Sequence, residues 1–446
     1  MGPTVTRDVL VFAAQGSSHH LSDHATVDRL IECLGEEGNA FHLITQRCKT
    51  ALYTELEGLT AEEKSTLGED LCDAFREPIS LLLPPQSFSS HPVVETIALY
   101  LRQILELMLF ASYQRGNHVV VETTGICTGI FPAIVASSFS SYNSEQFIDS
   151  VTENFRLAFW VGLRASMFCR HAAGESWKEL PWVLSTFGLP VEEIEEKVSK
   201  YNLHASVSNP SFKYKGPATD ASKSPTLVPQ PRVSAVFNQS VVSLSGPGAS
   251  LHELRSTLLA PPIQCKSAQV HAFYHGGQDM QKVVEQLKSD VKRRDIRFPT
   301  WESLQVPLRS TLTGKRMNSA LNSLPLLDTA LRNIFVDKVD WRGTYEELFS
   351  YLGQSLSRDS QVQYQVIGLG PGAESLVGAP ADMRIDPSIT ITGNIADFIS
   401  EAGGDNIAVV GISANYPAGK GVEQFWNTLE QGKSAMSEVR PLLMEF

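Results

Sequence analysis

The sequence predicts an α/β protein, and three observations carry that prediction. Residues 8–14 (DVLVFAA) form a short apolar run ending in the polar turn Gln15-Gly16-Ser17-Ser18, the profile of a buried strand feeding a loop. A second run, residues 118–122 (HVVVE), is dense in β-branched side chains and passes at once into Thr124-Gly125-Ile126-Cys127-Thr128-Gly129. Residues 130–139 then read as a helix, and strand, glycine-flanked turn, helix is the unit from which parallel sheets are built.

The remaining elements follow in order. Residues 56–83 and 93–113 carry apolar side chains at helical spacing, broken by Pro84, Pro85 and Pro92. The second of these is the most apolar stretch, yet Glu95, Arg102 and Glu106 interrupt it, so it reads as a buried amphipathic helix and not a membrane span. Strands at 182–186, 233–237 and 241–244 with helices at 191–201 and 251–258 suggest a small α+β unit set into the larger one. Within it, residues 206–231 are rich in Ser, Pro, Lys and Thr and read as a surface loop. Residues 270–275 (VHAFYH) read as a strand ending at Gly276-Gly277.

Gly368-Leu369-Gly370-Pro371-Gly372 resembles a phosphate loop but lacks its Lys-Ser/Thr ending, and Pro371 removes a donor, so it reads as a tight turn after a strand at 363–367. Pro380, Pro387 and Gly403-Gly404 mark a connector. Residues 407–413 (IAVVGIS) and 422–432 (VEQFWNTLEQG) then start a new strand and helix, the first fraction of another domain. The expected division is a catalytic subdomain of residues 1–176 and 268–376, an insert of 177–267, a linker of 377–405 and a truncated domain of 406–446.

Composition narrows the function. A chain of 446 residues has room for two to four units, and 42% hydrophobic with 19% charged residues is globular. The net charge of −12 repels a phosphate backbone, and the densest basic run, residues 288–297, is interleaved with Asp290 and Asp295, so nucleic acid is a poor partner. Six cysteines without CxxC or zinc spacing suit a reducing, cytoplasmic compartment, and the first residues lack a signal-peptide core. His19, His20 and His24 with Cys33 could suggest a metal cluster, but a solvated helix start explains them better, and no metal is expected.

Cys127 is the sharpest chemical feature. A nucleophile between Gly125 and Gly129 at a strand-to-helix turn is lifted from the sheet, and the helix N-terminus offers N–H groups to a developing oxyanion. A buried structural cysteine at an ordinary turn remains the competing reading. Of eleven histidines, His275 at the glycine turn is the candidate base, with His271 a core residue deeper on the same face. Gln15 lies at the same sheet edge as the elbow and is either an oxyanion donor or a helix-capping turn residue.

Taken in order, Phe12-Ala13-Ala14-Gln15-Gly16-Ser17, Gly125-Ile126-Cys127-Thr128-Gly129 and Ala272-Phe273-Tyr274-His275 resemble the signature blocks of the acyl-carrier-protein acyltransferase family. Malonyl-selecting members carry serine in a G-H-S-x-G-E elbow, whereas cysteine in G-x-C-x-G resembles the starter-unit acyltransferase (SAT) domain of fungal non-reducing polyketide synthases. Residues 240–249 (SVVSLSGPGA) and 307–314 (PLRSTLTG) also resemble family segments, and 407–413 with Tyr416-Pro417 and Phe425-Trp426 resemble the opening of a β-ketoacyl synthase domain.

The resemblance implies an α/β-hydrolase-like subdomain with a ferredoxin-like insert. It also implies Cys127 as nucleophile, His275 as base, Gln15 (by its side chain) and Thr128 (by its backbone N–H) as the oxyanion hole, and Thr311 as the residue whose carbonyl orients the histidine. Arg164 is the sole candidate for a carboxylate-reading arginine, and Ile130 stands where relatives have Glu, so an uncharged acyl group is expected. No cofactor is expected on the chain itself. The acyl group arrives on CoA or on a carrier domain, possible donors being a fatty acid synthase or a reducing polyketide synthase, and leaves on the 4'-phosphopantetheine of an acyl carrier protein. The downstream ketosynthase is the next partner. A thioesterase and an inactive carrier-docking module are the alternatives.

Overall fold

The computed structural model describes residues 5–15, 24–36, 38–68, 71, 75, 79–85, 88, 90–114, 118–208, 229–259, 263–320, 323–358, 361–378, 385–403, 415–416 and 419–420. The chain divides into two units, residues 1–402 and 403–446.

In the first unit β1 (Val5–Phe12) leads through α1 (His24–Gly35), α2 (Ala40–Glu57), α3 (Ala61–Leu67) and α4 (Ile79–Leu82) to the long α5 (Pro92–Tyr113). Next come β2 (His118–Gly125), α6 (Ile130–Ser138) and α7 (Glu145–Ala173). A smaller unit follows with β3 (Val183–Phe187), α8 (Val191–Ser208), β4 (Arg232–Asn238), β5 (Val241–Ser245), α9 (Gly248–Thr257) and β6 (Gln264–Ala268). The chain then returns through α10 (Gln281–Arg293), β7 (Leu308–Arg309), β8 (Arg316–Met317), α11 (Leu326–Phe335), β9 (Val339–Asp340) and α12 (Trp341–Leu356). It finishes with β10 (Val362–Leu369), α13 (Ala373–Val377), β11 (Ile389–Thr392) and α14 (Ile395–Gly403).

Local chemistry sets the ends of these helices. Thr60 and Glu63 form a reciprocal capping box at α3, Pro92 opens α5 behind the His91 cap, and Ser144 caps α7 through the Phe147 N–H. The main sheet has the order β11-β10-β1-β2-β7-β8, parallel except for β8. Because β1 is central and the chain departs to opposite sides for β2 and β10, the crevice at their C-terminal ends is where a parallel sheet accommodates a ligand.

Helix α5 is buried on every side from Pro92 to Phe110, so it is not the amphipathic helix expected. Two of its charges pair with each other, Arg102 with Glu106 at 2.7 Å, and Glu106 also accepts the Gly370 N–H at 2.5 Å. The turn at Gly370 is thereby locked to the core helix, with Gly370 and Gly372 both at positive φ, and is no phosphate loop.

The smaller sheet has the order β6-β3-β5-β4-β9, antiparallel except for β9, which the larger part contributes in parallel register beside β4. Leu184, Val242 and Leu244 on one face pack with Ile194 and Val198 of α8 and with Leu251 and Leu254 of α9. Alternation then turns Ser185, Ser243 and Ser245 to the other face. Most of the loop expected at 206–231 lies outside the described residues.

Two expectations need correction. Residues 270–275 form no strand: the His275 and Gly276 N–H groups donate to the carbonyls of Ile334 and Phe335 at the end of α11. Residues 377–405 are not merely a linker, because β11 extends the main sheet beside β10 and Phe398 of α14 packs at a tilt against Phe110, ring centroids 4.9 Å apart. Apolar side chains at Ile389, Ile395, Phe398 and Ile399 make that segment part of the core despite its prolines.

In the second unit the described residues are β12 (Asn415–Tyr416) and β13 (Gly419–Lys420), an antiparallel pair. The strand and helix expected at 407–413 and 422–432 lie outside the described residues.

Candidate active site

Cys127 has φ +53°, a conformation costly for a side chain other than glycine, at the head of a single 3₁₀ turn that runs into α6. Such strain persists only where surrounding structure enforces it. Here Ile126 N–H donates to Phe12 O at 3.1 Å and Gly129 N–H to Ile126 O at 2.9 Å, tying the turn to β1. A Cβ on Gly125 would sit 2.0 Å from Gly129 O, and one on Gly129 would sit 2.5 Å from Ala13 O, so only glycine fits either place.

Cys127 is 5% exposed and lines a cleft of about 850 Å³ between the two sheets, which Gln15, Tyr274 and His275 also line. Burial pushes the Cys127 thiol up to about 12; the Thr128 N–H bonded to the sulfur opposes that, and the charge of Glu95 reinforces it. The resting group is a neutral thiol, unlike the thiolate of a cysteine paired with imidazolium. Alkylation of Cys127 by iodoacetamide is therefore expected to keep accelerating beyond pH 9. A plateau below pH 8 would show a thiolate and contradict this.

His275 also sits at φ +53° and is buried. Its Nδ1 donates to the Asp337 carbonyl at 2.8 Å, which leaves Nε2 as the acceptor nitrogen of the ring. Burial pushes its pKa down to about 4, against the pull of the Asp337 bond. Loss of the neutral ring on acidification is then expected near pH 4 and not near 6.5. An acyl-uptake profile that keeps its rate from pH 8 to 5, apart from any loss of folded protein, checks this.

Other candidate residues are placed differently from expectation. Thr311 does not orient the ring: its carbonyl accepts from Asp340 N–H at 2.7 Å and its hydroxyl from Asn333 at 2.9 Å. It braces the segment that carries Asp337. The Gln15 amide nitrogen is engaged by Thr96 Oγ1 at 2.7 Å and Tyr274 Oη at 3.3 Å, so its oxygen faces the sulfur at 3.9 Å and the side chain offers the thiol an acceptor, not a donor. His271, by contrast, is the satisfied core histidine expected, donating to the Lys178 carbonyl at 3.1 Å.

Arg164 lies outside the lining of the cleft. It holds Asp290 through two bonds of 2.6 and 2.8 Å and Glu63 through one of 2.7 Å, and stacks on Trp160. The charged carboxylate and ammonium groups lining the cleft are those of Lys266 and Glu374, both exposed at its mouth. Its small-sheet wall presents Ser185, Ser234, Ser243 and Ser245, and the facing wall Trp341, Tyr345 and Leu376. Among the described residues no three His, Cys, Asp or Glu side chains are grouped to hold a metal ion, and no helix is long and apolar enough to cross a membrane.

Asp337, Thr96 and the serine wall were missed from sequence. Alternation in VLSTF and VVSLS carried a signal for the serines, since each aliphatic face leaves a hydroxyl face behind. Nothing local marks a backbone carbonyl such as that of Asp337.

The sheet order, the elbow and the insert define an acyl-carrier-protein transacylase fold. Among solved structures, a malonyl-transacylase in complex with the acyl-carrier protein of a type II polyketide synthase superposes with a TM-score of 0.54 at 16% identity, covering 90% of this chain and all (100%) of that one. The loading acyltransferase of the avermectin modular polyketide synthase gives 0.52 at 14%, covering 89% and 98%. The family model described as "Starter unit:ACP transacylase in aflatoxin biosynthesis" matches residues 40–275, and the chain belongs to that family of acyltransferases.

A second model, "Beta-ketoacyl synthase, N-terminal domain", matches residues 404–445. The orsellinic acid synthase armB of Armillaria mellea is 28% identical over 469 residues, 98% of this chain and 19% of the relative. The orsellinic acid synthase of Beauveria bassiana is 28% identical over 420 residues, 90% and 17%. The non-reducing polyketide synthase VdtA of Byssochlamys spectabilis is 24% identical over 334 residues, 71% and 13%. The chain thus spans a fifth or less of the length of these relatives.

Proposed function

We propose that the chain is the starter-unit acyltransferase of a non-reducing polyketide synthase, moving an uncharged acyl group through Cys127 to an acyl carrier protein. The observation that carries this reading is the presence, on one cleft, of a strained elbow thiol and an imidazole whose Nδ1 is fixed by a carbonyl. Cys127 attacks the carbonyl carbon of the incoming thioester while His275 Nε2 takes the thiol proton. The tetrahedral oxyanion collapses, expelling the donor thiol, which recovers the proton from the imidazolium. The phosphopantetheine thiol then repeats the sequence on the acyl-cysteine.

The Thr128 N–H, beside the sulfur, is one oxyanion donor. A second must come from the Gln15 backbone, or from its amide after the side chain turns, since its nitrogen now serves Thr96. Each such donor is worth about 3 kcal/mol of transition-state stabilisation. An uncharged starter fits a cleft lined, among the described residues, by no arginine, Arg164 being held outside it by Asp290 and Glu63. We read residues 177–267 as the ferredoxin-like insert, whose serine wall offers hydroxyls to the amides of the pantetheine arm. Lys266 at the mouth suits its phosphate.

Lys266→Glu is accordingly expected to raise the KM for phosphopantetheinyl carrier protein about fivefold, leaving the KM for acyl-pantetheine without phosphate unchanged. Equal effects on both would remove Lys266 from this role.

The thioesterase reading is less favoured because the His275 Nδ1 partner is a carbonyl, with no carboxylate in the place of a triad acid. The deciding experiment presents an acyl thioester and holo carrier protein together. Acylated carrier protein is the expected product, with a transient mass adduct mapped to Cys127. Predominant free acid would establish hydrolysis, and no adduct in either fraction would leave a docking module.

A further inference from the structure

We propose that Arg332 and Asp337 form a positioning pair for the base, an inference that rests on the acyl-relay reading above: their ion pair holds the turn whose carbonyl fixes the His275 ring. That turn closes α11. Val336 N–H and Asp337 N–H both donate to the Arg332 carbonyl at 2.8 Å. The guanidinium of the same residue closes the turn a second time, with Nη2 reaching Asp337 Oδ1 at 3.3 Å and Nη1 reaching Gln281 Oε1 at 3.3 Å on the first turn of α10. Backbone and side chain of Arg332 therefore grip residue 337 together, while its side chain links two helices.

The Asp337 carbonyl receives His275 Nδ1 at 2.8 Å, and the His275 and Gly276 N–H groups donate to Ile334 and Phe335 at 3.0 and 2.7 Å. Ring and peptide are thus both registered against the helix end that Arg332 organises. The neighbouring ties act elsewhere. Lys338 reaches Glu195 at 3.1 Å on the surface, and Asp340 N–H reaches Thr311.

A base acting through Nε2 needs its proton on Nδ1, and an acceptor held at Nδ1 selects that tautomer and stops the ring from turning. Neither Arg332 nor Asp337 lines the cleft, so relaxing the turn should leave thioester binding alone and slow the chemical step. Misplacement by a fraction of an ångström typically costs about tenfold in rate.

The test uses the full chain with Arg332→Gln, Arg332→Lys and Asp337→Asn, and Lys338→Ala as the neighbouring control. Single-turnover acylation of Cys127 is measured across thioester concentrations, and the His275 tautomer is read from imidazole ¹⁵N shifts. Arg332→Gln should acylate about tenfold more slowly at saturation, with half-saturating concentration within twofold of wild type. Its ¹⁵N shifts should show protonated Nε2 appearing. Arg332→Lys should recover most of the rate and the wild-type tautomer, and Lys338→Ala should match wild type throughout. An unchanged saturating rate, a slowed rate with the wild-type tautomer, or no recovery with lysine overturns the proposal. Should Arg332→Gln fail to fold, Asp337→Asn decides on the same rate and tautomer criteria. Absence of acylation in the wild type would overturn the relay reading, and the tautomer comparison would still decide this one.

Discussion

On the proposed relay, Cys127→Ala is expected to take up no acyl group, and His275→Ala to take it up about 10³-fold more slowly than the wild type. The size of the second effect follows from the state of the thiol. With the Cys127 pKa near 12, almost none of it is ionised at pH 7, so the proton must leave during attack and needs an acceptor in place. A cysteine already ionised would lose far less when the imidazole is removed. Rapid-quench intact-mass measurement of the acyl-enzyme gives both numbers. A His275→Ala rate within tenfold of wild type would mean that another base serves, or that the thiol ionises without help.

Gly129→Ala is expected to lower stability by about 3 kcal/mol or more and to abolish acyl uptake by whatever folds. The added Cβ would lie 2.5 Å from Ala13 O and 2.7 Å from Phe12 O. Both are main-chain atoms at the end of the central strand, which cannot swing aside as a side chain would. Chemical denaturation gives the answer as a shifted midpoint with unchanged slope. A midpoint within error of wild type would show that the elbow does not press on β1 as described.

Much of the fold was legible because it rests on local patterns. The runs at 8–14 and 118–122 became the central strands β1 and β2, since continuous β-branched stretches are stable only when covered on both faces. The elbow glycines were legible for the same reason, their spacing being a backbone requirement. What escaped was decided by distant partners. Residues 270–275 have the composition of a strand, but α11 offers its terminal carbonyls first. Thr311 lies in the right neighbourhood yet one link removed, bracing through Asn333 and Asp340 while Asp337 supplies the oxygen. Burial of α5 on all sides depends on α7, α4, α6 and β10 closing round it, which periodicity cannot reveal.

The strand at 389–392 bears on how starter modules could be exchanged between synthases. A splice after residue 376 would strip β10 of its outer neighbour and leave an unzipped parallel edge beside the bared ring of Phe110, an invitation to aggregation. Joining chimaeras after α14 instead keeps the sheet whole and falls where the ketosynthase match begins at residue 404.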